Sequence, residues 1–338
     1  MEISSVNKID ELDAWLKERH LGGHWQGAMG EREQFKATHW KWDDIYAGLM
    51  KASEVVPMED TGRRTIQLKA PSLGDTRMSN TIHMSIQCVM PGEVAKAHRH
   101  NAAAVRFVVQ AKPGAYTVVE GEPFQMLEGD FITTPSNTYH DHYNESGEPV
   151  IWLDGLDIRL AQIGKLLGNE FEQDQQNRDR PVGFSAKTLG HAKPSFMKGP
   201  HLTPPFRYPW EETEATFETL KETETEGDPH NGILLTYTHP VTEGPTLPTF
   251  ACEIQLLQPL QKTQDHRHIS TTIYQVFRGK GATVVDGERI EWNQGDIFVV
   301  PPWSWHHHEN LIDKDTILYS MNDWPALKAL GLYQEEGR

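Results

Sequence analysis

The chain carries one segment pattern twice. Thr117-Val118-Val119-Glu120-Gly121-Glu122 returns 166 residues later as Thr283-Val284-Val285-Asp286-Gly287-Glu288. At the same offset Gly129-Asp130-Phe131 returns as Gly295-Asp296-Ile297, Pro135 as Pro301, His140 as His306 and Asn144 as Asn310. His98-Arg99-His100 returns as His266-Arg267-His268 at an offset of 168, a difference that one loop absorbs. Around each copy, from about residue 78 and again from about 246 to 320, short alternating runs are broken by Gly, Pro, Asn and Asp. That pattern belongs to a β-sandwich or barrel. Glu120-Gly121 and Asp286-Gly287 mark the hairpin turns, where glycine supplies a positive φ. Two copies of one β-domain are therefore expected, in an all-β chain with flanking helices.

The rest of the sequence fits around them. Residues 1–75 read as a helical arm with leading strands, 76–160 as the first β-domain, 161–245 as a connector with helices, and 246–338 as the second β-domain with a closing helix. In the arm, Ile9, Leu12, Trp15 and Leu16 recur at helical spacing, and Gly22-Gly23 is expected to end that helix. Helical patterns also cover 157–167, 210–222 and Trp324 to Leu332. A length of 338 residues with 37% hydrophobic composition suffices for two cores and excludes a disordered chain. The net charge of −16 repels phosphate, so neither nucleic acid nor an anionic membrane is an expected partner. No apolar stretch approaches a membrane span, and Met1-Glu2-Ile3-Ser4-Ser5 is neither basic nor followed by an apolar run. With Cys88 and Cys252 each inside a strand-like run, buried thiols and a cytoplasmic location are expected.

Alternate side chains of a strand share a face. His98 and His100 then point one way, as do His140 and His142, while Arg99 and Asp141 point the other. Two histidines from one strand and one from a strand some forty residues on can set three imidazoles around a transition metal. A lone His-X-His is weak evidence. Two copies, each followed by Gly-Asp, Pro and His-x3-Asn, make His98, His100 and His140 a metal triad and His266, His268 and His306 a possible second one.

These spacings resemble the paired motifs of the cupin superfamily: Gly92-x5-His98-x-His100 with Gly129-x5-Pro135-x-Asn137-x2-His140-x3-Asn144, and Leu260-x5-His266-x-His268 with Gly295-x5-Pro301-x-Trp303-x2-His306-x3-Asn310. The resemblance implies a bicupin, two double-stranded β-helix (jelly-roll) barrels. Asn137 and Trp303 replace a motif glycine, and Ala104 and Thr272 replace the glutamate that many cupins use as a fourth ligand. Three neutral ligands leave positions open on the metal, whereas a purely structural site is normally closed. The longer run Pro91–His100, Val105-Arg106-Phe107, Gly129–Pro135 and His140-Asp141-His142 is similar to the gentisate 1,2-dioxygenase family, which includes salicylate and 1-hydroxy-2-naphthoate dioxygenases. The similarity extends to Arg63-Arg64, Trp152-Leu153-Asp154 and Leu327–Tyr333. It implies Fe(II)-dependent cleavage of the C1–C2 bond of a 2-hydroxybenzoate with O2 as co-substrate, by a homo-oligomer, often a tetramer.

If the strand from His98 runs unbroken, Arg106 shares the inward face with the ligands, separated from them by Ala102 and Ala104. Its guanidinium suits a carboxylate, although a salt bridge at the barrel mouth would also explain it. The second copy has Tyr274 there, above the bulkier Ser270 and Thr272, so the first copy is expected to be catalytic and the second to be a weaker or structural metal site, or empty. His142 either bonds a substrate hydroxyl or oxygen, or packs at the rim. Gln87 and Asp154 are further candidate substrate contacts, with Gln255 matching Gln87 in the second copy. Arg63 and Arg64 could supply a second carboxylate contact, but adjacent residues rarely both face one pocket. Ile82-His83-Met84-Ser85-Ile86 departs from the Tyr-Ala-Gly-Leu typical of gentisate enzymes. Ser85 would narrow the pocket and His83 would add a titratable group, so a 5-substituted salicylate such as 5-nitrosalicylate stands beside gentisate as substrate. A cupin isomerase or decarboxylase acting on a small organic acid without O2 is the rival.

Overall fold

The computed structural model describes residues 5–23, 25, 35–165, 175–189, 203–223 and 227–338. Residues 1–34 form a unit of their own, built on the helix Ser5–Lys17. This helix stops short of Gly22-Gly23. His20 takes a left-handed conformation, and the Leu21 amide turns back to the Leu16 carbonyl at 2.9 Å. A non-glycine residue thus closes the helix where glycine was expected.

Residues 35–338 form the second unit, two barrels of two sheets each. In the first barrel a six-stranded sheet runs in the order Phe206–Tyr208, Phe131–Thr134, Ala104–Gln110, Val150–Leu156, His83–Val89, Thr65–Gln67. It faces a four-stranded sheet ordered Val94–His98, His140–Asn144, Ala115–Val119, Glu122–Gln125. The second barrel repeats the plan, with Thr38–Trp40, Ile297–Val300, Thr272–Arg278, Thr316–Asn322, Ala251–Leu257 and Ile233–Thr236 in the large sheet. Its small sheet gains a fifth strand, Glu335–Gly337, beside His266–His268.

The order of strands holds the main surprise. Thr38–Trp40 precedes the first barrel in sequence but pairs with Ile297–Val299 of the second. Phe206–Tyr208 precedes the second barrel but pairs with Phe131–Thr133 of the first. The repeated Gly-Asp dipeptides receive these exchanged arms. Asp130 accepts hydrogen bonds from the Trp210 and Leu127 amides at 3.0 and 2.8 Å and from Arg207. Asp296 does the same for the Trp42 and Asn293 amides, at 2.8 and 3.0 Å. Each aspartate thereby satisfies an amide at the start of the helix that follows the arm, Trp210–Glu222 or Trp42–Val55. The glycine makes room: a Cβ on Gly129 would lie 2.7 Å from the Trp210 indole, and one on Gly295 would lie 2.4 Å from that of Trp42.

The large sheets also pack against each other. Their outward faces contribute Val105, Phe107, Phe131 and Leu153 from one barrel and Ile254, Phe277, Tyr319 and Met321 from the other to a single buried cluster. Phe107 stacks on Tyr319 with ring centroids 4.2 Å apart and meets Phe277 edge-on at 5.2 Å. Each such buried side chain contributes about 1.5–3 kcal/mol of hydrophobic stabilisation. Asp157 accepts from the Ala103 amide and Thr249, and Asp323 from the Thr271 amide and Thr81, so each barrel's last long strand is tied to the entry of the other barrel. Both cysteines are free and buried. Among the described residues no helix is long and apolar enough to cross a membrane.

Candidate metal centre and active site

The ladders fix which side chains meet inside the first barrel. His98 and His140 are directly opposite each other on the small sheet, and His100 follows on the same run. One nitrogen from each of the three lies within 4.8 Å of the others. The backbone sets the tautomers. Nδ1 of His100 lies 2.7 Å from the Ala102 carbonyl, Nδ1 of His140 lies 3.0 Å from that of Thr138, and Nδ1 of His98 lies 3.1 Å from that of Lys96. A carbonyl only accepts, so a proton on each Nδ1 leaves the Nε2 lone pairs for a metal. Burial, aided by Arg63, pushes His98 down to about 2, and burial holds His140 far below the usual imidazole range. Burial lowers His100 as well, so all three rings are biased toward the neutral form that metal binding requires.

Arg106 reaches this cluster by a route other than the one expected. The strand does not run unbroken: Val94–His98 ends on the small sheet, the chain turns, and Ala104–Gln110 lies in the large sheet opposite. Arg106 points inward from that facing wall. It is buried, donates to Thr134, and holds Asp154 with Nε 3.8 Å from Oδ1. Ser85 and Arg106 are both paired with Asp154 in the ladder, and Gln87 is paired with Trp152. His83, Ser85 and Gln87 therefore share the face that carries Asp154, with His83 half-buried at its edge.

The two arginines part company. Arg64 turns away, making a bidentate pair with Glu93 at 2.8 and 2.9 Å and donating to the Val56 carbonyl. Arg63 turns in, with Nη2 2.5 Å from Nδ1 of His98. That nitrogen cannot both donate to Lys96 and accept from Arg63, so the two contacts exclude each other. When Nε2 ligates a metal, the proton belongs on Nδ1, and Arg63 must find another acceptor in the site. Burial lowers its guanidinium to about 10, partly offset by Asp154, which leaves it cationic at neutral pH.

His142 lies deep in the barrel rather than at a rim. It packs against Trp152 at 4.8 Å between centroids, and neither ring nitrogen has a hydrogen-bond partner. The same holds for both polar atoms of the Gln87 side chain, Nε2 of His140, Nε of Arg106 and Nε1 of Trp152. Buried polar groups without partners are costly and rare. Several of them adjoin the triad: the His142 ring lies 5.9 Å from that of His140 and 4.8 Å from that of Trp152, between centroids. Thr134, which orients Arg106, and Trp152, which offers an indole N–H, were not foreseen from sequence; both lie on inward strand positions that alternation alone could have flagged.

The second barrel sets His266 opposite His306, and with His268 these again bring one nitrogen each within 4.8 Å. Ser270 and Thr272 do not crowd it. They line a cavity of about 240 Å³, which Trp324, Lys328, Tyr333 and Glu335 of the C-terminal segment also line. Tyr274 occupies the place of Arg106, and Gln255, unlike Gln87, is engaged, donating to the Asn231 carbonyl at 2.7 Å.

Two β-barrels with histidine triads on their inner faces define a bicupin with metal-binding capacity, and a model described as Cupin domain matches twice, over residues 85–156 and 253–322. The chain is 40% identical to a 5-aminosalicylate 1,2-dioxygenase of Comamonas sp over 313 residues, covering 91% of this chain and 83% of that protein. It is 36% identical to a gentisate 1,2-dioxygenase of Haloferax sp, covering 99% and 96%. The crystal structure of salicylate 1,2-dioxygenase from Pseudoaminobacter salicylatoxidans with gentisate superposes with a TM-score of 0.90 at 29% identity, covering 100% and 96%. The chain belongs to the gentisate and salicylate 1,2-dioxygenase family. It is a ring-cleaving dioxygenase, an oxidoreductase that uses O2, and the family resemblance read from the motifs is borne out.

Proposed function

We propose that the first barrel binds Fe(II) through His98, His100 and His140 and cleaves the C1–C2 bond of a 2-hydroxybenzoate carrying a polar group at position 5. Both atoms of O2 enter the ring-opened product, so no external reductant is needed. The observation that carries this reading is the set of partnerless buried polar atoms, several of them adjoining one triad, beside two inward arginines. When bound, the iron supplies open positions for a bidentate anionic ligand and for O2, and a path for electrons between them.

The protein's own groups do the rest. Arg106, held by Thr134 and Asp154, offers its fork to the substrate carboxylate, and Arg63 adds a second cation on the His98 side. Asp154 limits the cationic charge and keeps Arg106 oriented. His142, kept neutral by burial, can donate its ring N–H to developing negative charge on oxygen. Gln87 supplies one donor and one acceptor to the ring hydroxyl. Ser85 and His83 line the wall that extends from Asp154, and His83 suits a 5-amino, 5-hydroxy or 5-nitro group. The free thiols fit the cytoplasm, and assembly as a homotetramer is checked by analytical ultracentrifugation.

The test is O2 uptake by protein loaded anaerobically with Fe(II) and offered 5-aminosalicylate, gentisate, 5-nitrosalicylate, salicylate and 1-hydroxy-2-naphthoate in parallel. One O2 consumed per ring lost, fastest with a 5-substituted acid, is expected. Equal rates with unsubstituted salicylate would remove the role given to His83, and no uptake with iron bound would overturn the assignment.

A further inference from the structure

The second barrel carries a triad as compact as the first, but its inner wall has a different chemistry. In the first barrel the ladder pairs Ser85 and Arg106 with Asp154. In the second, the equivalent ladder pairs Glu253 and Tyr274 with Ser320. The cation–carboxylate pair has become a phenol and a hydroxyl, and a small hydroxyl has become a carboxyl group. Glu253 is held in the wall by Asn322, which donates to it at 2.7 Å, and by Thr236.

The triad itself is built to ligate. Nδ1 of His268 faces the Ser270 carbonyl at 3.0 Å and Nδ1 of His306 faces that of Ser304 at 3.0 Å, which turns both Nε2 atoms inward. Nε2 of His306 is fully buried and has no partner. Three imidazoles leave at least one position open on a divalent transition metal. The cavity of about 240 Å³, lined by His266 and His268, gives a small molecule access to it. The single ammonium in its lining, Lys328, lies 4.4 Å from the centre of the Trp324 ring and 5.1 Å from that of Tyr333. Oδ1 of Asn322, also in the lining, is a buried acceptor without a partner.

We propose that His266, His268 and His306 form a second, open transition-metal centre whose pocket takes a small uncharged hydrogen-bond donor and rejects the aromatic acid of the first barrel. The carboxylate of that acid would meet Glu253 where the first barrel offers Ser85, and would find no arginine. A neutral nitrogen base with an N–H can ligate the metal and donate to Asn322.

The full chain, stripped of metal and reloaded with Co(II), tests this by metal analysis and visible absorption. Two Co(II) per chain are expected, falling to one in His98→Ala/His140→Ala protein and to one in His266→Ala/His306→Ala protein. Imidazole should shift the Co(II) bands of the His98→Ala/His140→Ala protein, and gentisate should leave them unchanged while shifting those of the other variant. If an alanine pair fails to fold by circular dichroism, the corresponding glutamine pair gives the same readout. One Co(II) per chain in the parent and none after His98→Ala/His140→Ala would overturn the second centre and leave the first assignment standing. A gentisate shift in the His98→Ala/His140→Ala protein would overturn the ligand discrimination.

Discussion

Arg106 and Arg63 enter the site from one sheet but have different partners, Thr134 and Asp154 for the first and His98 for the second. Arg106 is held on two sides, so substituting it tests the fork rather than the fold. Arg106→Lys keeps a charge beside Asp154 but cannot make two parallel bonds to a carboxylate. One lost charge-assisted hydrogen bond, about 1.5–3 kcal/mol, predicts a rise in KM of roughly tenfold to hundredfold in steady-state kinetics. Arg106→Ala would be harder to interpret, because it leaves Asp154 buried without its cation. Arg63 competes for the nitrogen that a metal-bound His98 needs to keep protonated. Arg63→Met should therefore raise KM while iron content per chain holds or increases; iron loss with an unchanged KM would show that Arg63 only positions His98. The histidine triads were legible because alternation in strands is local and the repeat doubled the signal. Arg106 was placed in the site on a wrong premise, an unbroken strand, and arrives there because the facing sheet also points inward. Arg63 was harder to read, since nothing in two adjacent arginines says which one turns in.

At the scale of elements, the Gly-Asp dipeptides serve as sockets for the arms. Gly129 has φ +86° and Gly295 φ +91°, and each faces an indole with no room for a methyl group. Gly129→Ala or Gly295→Ala should cost about 2–4 kcal/mol, combining strained backbone and overpacking, and thermal unfolding measures it. An unchanged midpoint would mean that the tryptophans dock elsewhere. Asp323 offers a pH test at the other seam. Burial lifts its carboxyl to about 6, above the ordinary 3.8, despite the bonds it accepts. Its contribution is then full below pH 4 and is lost as pH rises through 6. Asp323→Asn should therefore gain stability relative to the parent between pH 4 and 7. The sockets were visible in sequence only as a repeated motif. Their partners are 80 and 254 residues away, beyond the reach of any local pattern.

For the whole molecule, the exchanged arms and the shared aromatic core leave neither barrel a complete fold of its own. The stretch expected to be a connector supplies strands Phe206–Tyr208 and Ile233–Thr236, one to each barrel. Calorimetry of residues 35–338 should give one cooperative transition, and two resolved transitions would contradict the interlock. The cavity of the second barrel was likewise hidden from sequence, since Trp324 and Tyr333 reach it only through the tertiary fold.

The reciprocal arms also have the form of a closed exchange. Two identical single barrels that each lent a leading strand to the other would make a closed, symmetric pair, and fusing their genes would yield the topology seen here. On such a route a contact between two molecules would become the interior of one. A single chain is also free of the need for its halves to be alike: a symmetric pair must keep the same pocket twice, whereas one chain can hold arginine in one half and tyrosine in the other. The interlocked arms hold together two halves whose pockets differ in chemistry.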